Sequence, residues 1–155
     1  MPPDRRCLKT RGVFKIKRND VFRAILVACS YSQIYDVDYT ANYAPVINDV
    51  TWRVLLIVML LKKYNVKLLE IEVAFLRGNL EEEFYTDCPQ VLEDAKEYEC
   101  VKLLYTIYSL VQSERQFWKK LVNVLKNMGF KGGYPDPCLM WGKKIWRDIH
   151  SNLCG

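Results

Sequence analysis

The chain has 155 residues, half of them apolar and 26% charged, with a formal net charge of +5. That length fits one domain with a real hydrophobic core, and the balance excludes an intrinsically disordered chain. Charge is uneven: residues 1–30 carry eight Lys/Arg against two Asp/Glu, residues 70–100 two against ten, and residues 101–155 nine against three. Two basic blocks around an acidic centre fit a protein that holds phosphates with cations and metal ions with carboxylates, but taken alone the pattern favours a solvated surface of uneven charge.

Val13–Lys17 alternates apolar and basic residues, Arg18-Asn19-Asp20 supplies a turn, and Val21–Ala28 returns as an apolar stretch, which predicts a β-hairpin. Tyr31–Pro45 has no period and reads as loop. Asn48, Asp49 and Thr51 offer N-caps for a helix through about Tyr64. Its apolar run Val54–Leu61 is eight residues long. A membrane span needs about 20, so the run reads as a buried helix and no membrane anchor is expected. Val66–Val73 is a strand candidate, Gly78-Asn79 a turn, Glu81-Glu82-Glu83 a solvated turn, and Glu83–Thr86 and Val101–Leu104 short strands. Ser113-Glu114-Arg115-Gln116 has the form of a capping box. Phe117, Leu121, Val124, Leu125 and Met128 then form one apolar helical face, which Gly129 ends. Short strands with separate helices make the expected class α+β. Trp141 and Trp146 with Lys143, Lys144 and Arg147 suggest a stacking and cationic surface for single strands.

The six cysteines are Cys7, Cys29, Cys88, Cys100, Cys138 and Cys154, none in a Cys-x-x-Cys pair, and the one histidine is His150. This argues against a structural zinc site and against Ser-His or Cys-His catalysis. The basic, Pro-rich start has no apolar core of a secretory signal. The expectation is therefore an intracellular, reducing compartment with free thiols.

The run Glu70-Ile71-Glu72-Val73-Ala74-Phe75-Leu76-Arg77-Gly78, followed by Asn79-Leu80-Glu81-Glu82-Glu83-Phe84-Tyr85, resembles the first catalytic motif of the reverse transcriptase of copia-type LTR retrotransposons. That family writes Asp-Val-Lys-Thr-Ala-Phe-Leu-Asn-Gly there. Arg23–Gln33 is similar to the family's Lys-Ala-Arg-Leu-Val-Ala-Arg-Gly-Tyr-Ser-Gln, and Tyr108–Trp118 to Tyr-Gly-Leu-Lys-Gln-Ala-Pro-Arg-Gln-Trp-Tyr. Val37-Asp38-Tyr39, Ala44-Pro45-Val46, Gly129-Phe130-Lys131 and Asp136-Pro137-Cys138-Leu139 continue the series in order.

The resemblance implies fingers and a partial palm over residues 12–140, with a basic extension at 1–11, a divergent tail at 141–155, and a break before the family's Asp-Asp hairpin. It implies template-directed nucleotidyl transfer on a nucleic-acid primer-template by two Mg²⁺ ions, within a Pol polyprotein. Carried over by position, Glu70 takes the place of the first catalytic, metal-binding Asp. Arg23, Phe75, Gln112 and Arg115 take nucleotide-binding places, Phe75 at the residue that checks the sugar 2′-position. The chain departs from the family in having Glu70 for Asp and no Asp-Asp pair, Asp148 being a lone carboxylate. Ile25 and Cys29 replace cations, Ser30 and Ser109 replace glycines, and Glu114 replaces a proline. These losses predict a catalytically incompetent polymerase fragment. The alternatives are a non-enzymatic nucleic-acid-binding remnant and a relic without selected function.

Overall fold

A computed structural model describes residues 6–89 and 100–142. Lys143, Lys144, Trp146 and Arg147 of the suggested stacking surface, and His150 and Cys154, lie outside the described residues. The chain divides into two compact units: Met1–Tyr43 with Ala74–Phe117, and Ala44–Val73 with Trp118–Gly155.

In the first unit, β1 (Cys7–Leu8), β4 (Asn79–Asp87) and β5 (Cys100–Tyr105) form a sheet in the order β1-β4-β5. β1 runs parallel to β4 and β5 antiparallel to it. β2 (Thr10–Ile16) and β3 (Phe22–Ala28) form the expected antiparallel hairpin, with Phe14 opposite Ala24 and Lys15 opposite Arg23. Its turn is closed by the Lys17 amide donating to Val21 O at 2.9 Å, with Asp20 at φ 56°. This is the three-residue loop whose last position takes the left-handed conformation that Asp tolerates. Leu8, Ala28, Phe84 and Leu110 are buried together, with Leu80, Leu103 and Ile107 packed against them. Thr10 ties the hairpin to the sheet: its amide and hydroxyl both donate to Asp87 Oδ1 at 2.7 Å.

The second unit holds α1 (Asp49–Lys62), a short ribbon of β6 (Lys131–Gly132) and β7 (Met140–Trp141), and the larger part of α2 (Ser113–Asn127). Asn48 caps α1 as expected, its Oδ1 accepting from the Val50 amide at 2.9 Å. α2 ends at Gly129, φ 89°, where the Gly129 and Phe130 amides donate to Lys126 O and Leu125 O, both at 2.9 Å. These paired bonds are the Schellman closure that glycine permits.

Five expectations are corrected. Val66–Val73 forms no strand: residues 66–71 carry no regular structure, and no described segment pairs with them. Strand propensity in Val66, Leu68 and Val73 cannot act without a neighbouring ladder to take its amides. The apolar run Val54–Leu61 is helical but not buried; no residue of α1 is, and Leu60 and Leu61 are 78% and 76% exposed. A helix apolar on every side calls for cover all round, and the described residues cover it only in part, at Thr51, Leu55 and Met59. Glu81–Glu83 is not a turn but the irregular middle of β4, where the register with β5 shifts between Asn79 and Phe84. Glu83 pairs with Lys102 of β5 there. Ser113 does not cap α2; its hydroxyl donates to Ile107 O at 2.7 Å, and the Gln116 amide donates to Gln112 O at 3.0 Å, within the helix's own first turn. Finally, Cys7 and Cys100 are joined in a disulfide, with Cα atoms 6.2 Å apart. The fold brings them together across 93 residues of sequence, which spacing could not reveal. Cys29, Cys88 and Cys138 are free thiols.

Candidate functional site

The segment from Tyr108 to Arg115 carries two of the five candidate residues, Gln112 and Arg115, and a third, Phe75, packs against its Tyr108. It is held to the hairpin by the Ala28 amide, which donates to Tyr108 O at 2.9 Å. The chain then turns at Ser109, φ 66°, in the left-handed region that favours glycine. The family writes glycine at this position, so Ser109 carries a strained backbone. Ser109→Gly is expected to raise stability by about 0.5–1 kcal/mol, read as a higher denaturant midpoint at unchanged slope.

Gln112 follows that turn and is 1% exposed. Its Oε1 accepts from Gln33 Nε2 at 3.0 Å, and Gln33 Oε1 accepts from the Val111 amide at 2.9 Å. Gln112 Nε2 is buried with no hydrogen-bond partner. An orphaned donor of this kind costs about 1–3 kcal/mol unless a ligand or water supplies an acceptor. Arg115, one helical turn on, is half-buried and donates to Tyr43 O at 3.0 Å.

Phe75 packs edge-on against Tyr108 and Phe117, at ring-centroid distances of 5.9 and 6.4 Å. It sits in a single 3₁₀ turn, Ala74–Leu76, and its carbonyl accepts from the Thr106 hydroxyl at 2.5 Å. The ring is half-buried in this aromatic cluster and lies outside the buried core of Leu8, Ala28, Phe84 and Leu110. Gly78 lies beneath: a Cβ there would stand 2.6 Å from Thr106 Oγ1 and 3.0 Å from Gln116 Cβ. The reason for glycine is this close approach, not a turn.

Arg23 stands apart from that cluster. It is exposed on β3, four residues from Val27, which bridges to Tyr108; that is roughly 13 Å along the strand. Strand alternation puts Arg11, Lys15, Lys17 and Arg23 on one face of the hairpin and Phe14, Ile16 and Phe22 on the other. Lys15 lies directly opposite Arg23. Like charges in that relation repel, and an anion between them relieves the cost. A hollow of 440 Å³ at this end of the hairpin is lined by Phe14, Ile16, Phe22 and Ala24 of the apolar face, with Lys15 and Arg23 at its edge.

Glu70 belongs to the other unit, exposed in the segment without regular structure. Val73, three residues on, is at φ 48°, a conformation that β-branched residues rarely take. Among the described residues no three His, Cys, Asp or Glu side chains gather as a metal site. One exposed glutamate does not fit the demand of two divalent ions, each of which needs carboxylates fixed around it.

Sequence reasoning missed the roles of three residues: Gln33, Thr106 and Asp136. Gln33 and Asp136 stood inside blocks shared with the family, which was the available signal. Asp136 is 1% exposed and accepts from the Asn48 amide (Oδ2, 2.9 Å) and the Cys138 amide (Oδ1, 2.9 Å). It thereby locks the Asp136–Leu139 loop to the start of α1. The Asn48 and Cys138 amides, with a further bond from Thr51, hold its carboxyl below the usual carboxylate range. Burial, with Asp136 close by, pushes the Cys138 thiol up. A carboxyl depressed in the folded state lends stability above its unfolded value and loses it as pH falls through the folded one. Acid titration is therefore expected to loosen this loop only below about pH 4, and Asp136→Asn to remove that step. Cys138 amide exchange against pH measures both.

Short mixed strands with two separate helices make this a small α+β chain. The chain belongs to the reverse transcriptase (RNA-dependent DNA polymerase) family, which it matches over residues 1–139. It is 31% identical over 145 residues to the retrovirus-related Pol polyprotein from transposon TNT 1-94 of Nicotiana tabacum, covering 90% of this chain and 11% of that one. It is 31% identical over 145 residues to the Pol polyprotein from transposon RE2 of Arabidopsis thaliana, covering 89% and 10%. With that from transposon RE1 of the same plant it shares 32% over 120 residues, covering 76% and 8%. The chain thus spans about a tenth of the length of these relatives. No solved structure matches it. Among the described residues no helix is long and apolar enough to cross a membrane.

Proposed function

We propose that this chain is the fingers and first part of the palm of a copia-type reverse transcriptase, able to hold nucleic acid and nucleotide but unable to polymerise as a 155-residue polypeptide. The observation that carries the reading is the family match across residues 1–139. On this reading the cationic face of the hairpin, with Arg23 and Lys15, meets phosphate. Gln112 meets the incoming nucleotide through its free amide donor. Phe75 closes the sugar side and Arg115 steadies the loop at Tyr43. Divalent Mg²⁺ would supply charge stabilisation and an activated primer oxygen in the family's reaction. The residues present here do not fit two such ions, so no step is routed through them. The missing Asp-Asp pair and the longer Glu70 side chain account for incompetence; a shift near 1 Å in a reacting group already costs about a hundredfold.

Purified 1–155 is expected to give no primer extension on a template in Mg²⁺ or Mn²⁺; a template-dependent product would overturn the claim of incompetence. Binding to a template–primer is expected to weaken steeply with salt, and Lys15→Ala or Arg23→Ala each to reduce the log–log salt slope by about 1. A message that runs in frame beyond codon 155 into an aromatic-x-Asp-Asp turn supports the polymerase reading and makes Glu70→Asp the activity experiment. A stop directly after Gly155 removes the enzyme reading and leaves a binding fragment or a relic.

A further inference from the structure

We infer that Gln33 is a positioning residue that sets the amide of Gln112 so that its NH₂ group, and not its oxygen, faces the ligand. The inference rests on the reading of Gln112 as a nucleotide contact. The order of the two amides is forced from one end. The Val111 backbone N–H can only donate, so the atom of Gln33 that meets it at 2.9 Å is the oxygen. That turns the Gln33 NH₂ toward Gln112, 3.0 Å away, and only the Gln112 oxygen can receive it. The Gln112 NH₂ is then the one group left over, buried and unpartnered in a side chain that is 1% exposed. A rigid backbone amide is thus relayed through two side chains into a donor of fixed direction. Its complement is an acceptor oxygen of a nucleotide: a hydroxyl, a phosphate or a base carbonyl. Without Gln33 the Gln112 amide could rotate by half a turn and offer oxygen instead, which would repel each of these except a hydroxyl.

Gln33→Glu tests the relay without removing its bulk. A carboxylate still accepts from the Val111 amide but cannot donate to Gln112, so the Gln112 NH₂ is drawn inward to meet it. The whole chain is labelled with ¹⁵N in glutamine side chains and followed by NMR, with dATP as probe. In the wild type the Gln33 NH₂ is expected to show one hydrogen-bonded proton, and dATP to shift the Gln112 NH₂ signals. In Gln33→Glu the Gln112 NH₂ is expected to shift without dATP and to show cross-peaks to the side chain introduced at position 33, with dATP affinity lower by roughly tenfold. Gln33→Ala is expected to leave two Gln112 signal sets and an intermediate loss. Unchanged Gln112 signals in Gln33→Glu overturn the relay whatever the binding result. Inverted signals with dATP affinity equal to wild type overturn the assignment of Gln112 to nucleotide, and with it the positioning role, while the amide relay itself stands.

Discussion

Reduction of the Cys7–Cys100 bond is expected to lower the melting temperature of the chain by roughly 10–15 °C. The bond closes a loop of 93 residues. In the chain-entropy account a loop of that size withholds about 4–5 kcal/mol of freedom from the unfolded state, and each kcal/mol moves the midpoint by about 2–4 °C in a chain this long. Its position adds to the effect. β1 is only two residues long and holds β4 by two register pairs, yet its Leu8, next to the disulfide, is among the most buried side chains. Both half-cystines are half-buried, so a reductant reaches them. Melts of wild type and Cys7→Ser with and without reductant decide it. The variant is expected to match reduced wild type and to ignore reductant. Equal midpoints in all four samples would remove the bond from any account of stability.

What could be read in the sequence was whatever depended on neighbours along the chain. The hairpin followed from alternation and from Asp20 in its turn, the start of α1 from Asn48, and the end of α2 from Gly129. Each is decided within a few residues by backbone sterics or a local cap. Failures fell where a distant partner decides. Val66–Val73 has strand composition but no ladder to join. Ser113 looked like a cap, yet Ile107 O took its hydroxyl. Cys7 and Cys100, 93 residues apart in sequence, meet only in the folded chain. At the candidate site, the family pattern pointed to Gln112, Arg115 and Phe75, and the structure packs Phe75 against Phe117 of the helix that carries Arg115. The pattern could not show that Gln112 is buried, nor that Gln33, 79 residues away, bonds to it. Glu70 was legible only as a position, since its segment has no regular structure to aim it.

Gly78→Ala is expected to destabilise the chain by about 1–3 kcal/mol and to disturb Phe75 more than any other candidate residue. The added methyl would stand 2.6 Å from Thr106 Oγ1, closer than a carbon and an oxygen rest without a bond, and 3.2 Å from the Phe117 backbone nitrogen, so retreat on the helix side is blocked. Thr106 is 1% exposed, and its hydroxyl donates to Phe75 O at 2.5 Å and approaches Gly78 O at 3.2 Å. The Thr106 amide also donates to Gly78 O at 3.0 Å. Moving Thr106 therefore breaks the link that fixes the 3₁₀ turn carrying Phe75 and leaves buried carbonyls unpaired. A double-mutant cycle isolates this contact from general damage. Thr106→Ala removes the clashing oxygen, so the pair Gly78→Ala with Thr106→Ala is expected to cost less than the sum of the singles by about 1 kcal/mol, measured in urea. Full additivity would mean that the close approach at Gly78 relaxes elsewhere and that the glycine is not what seats Phe75.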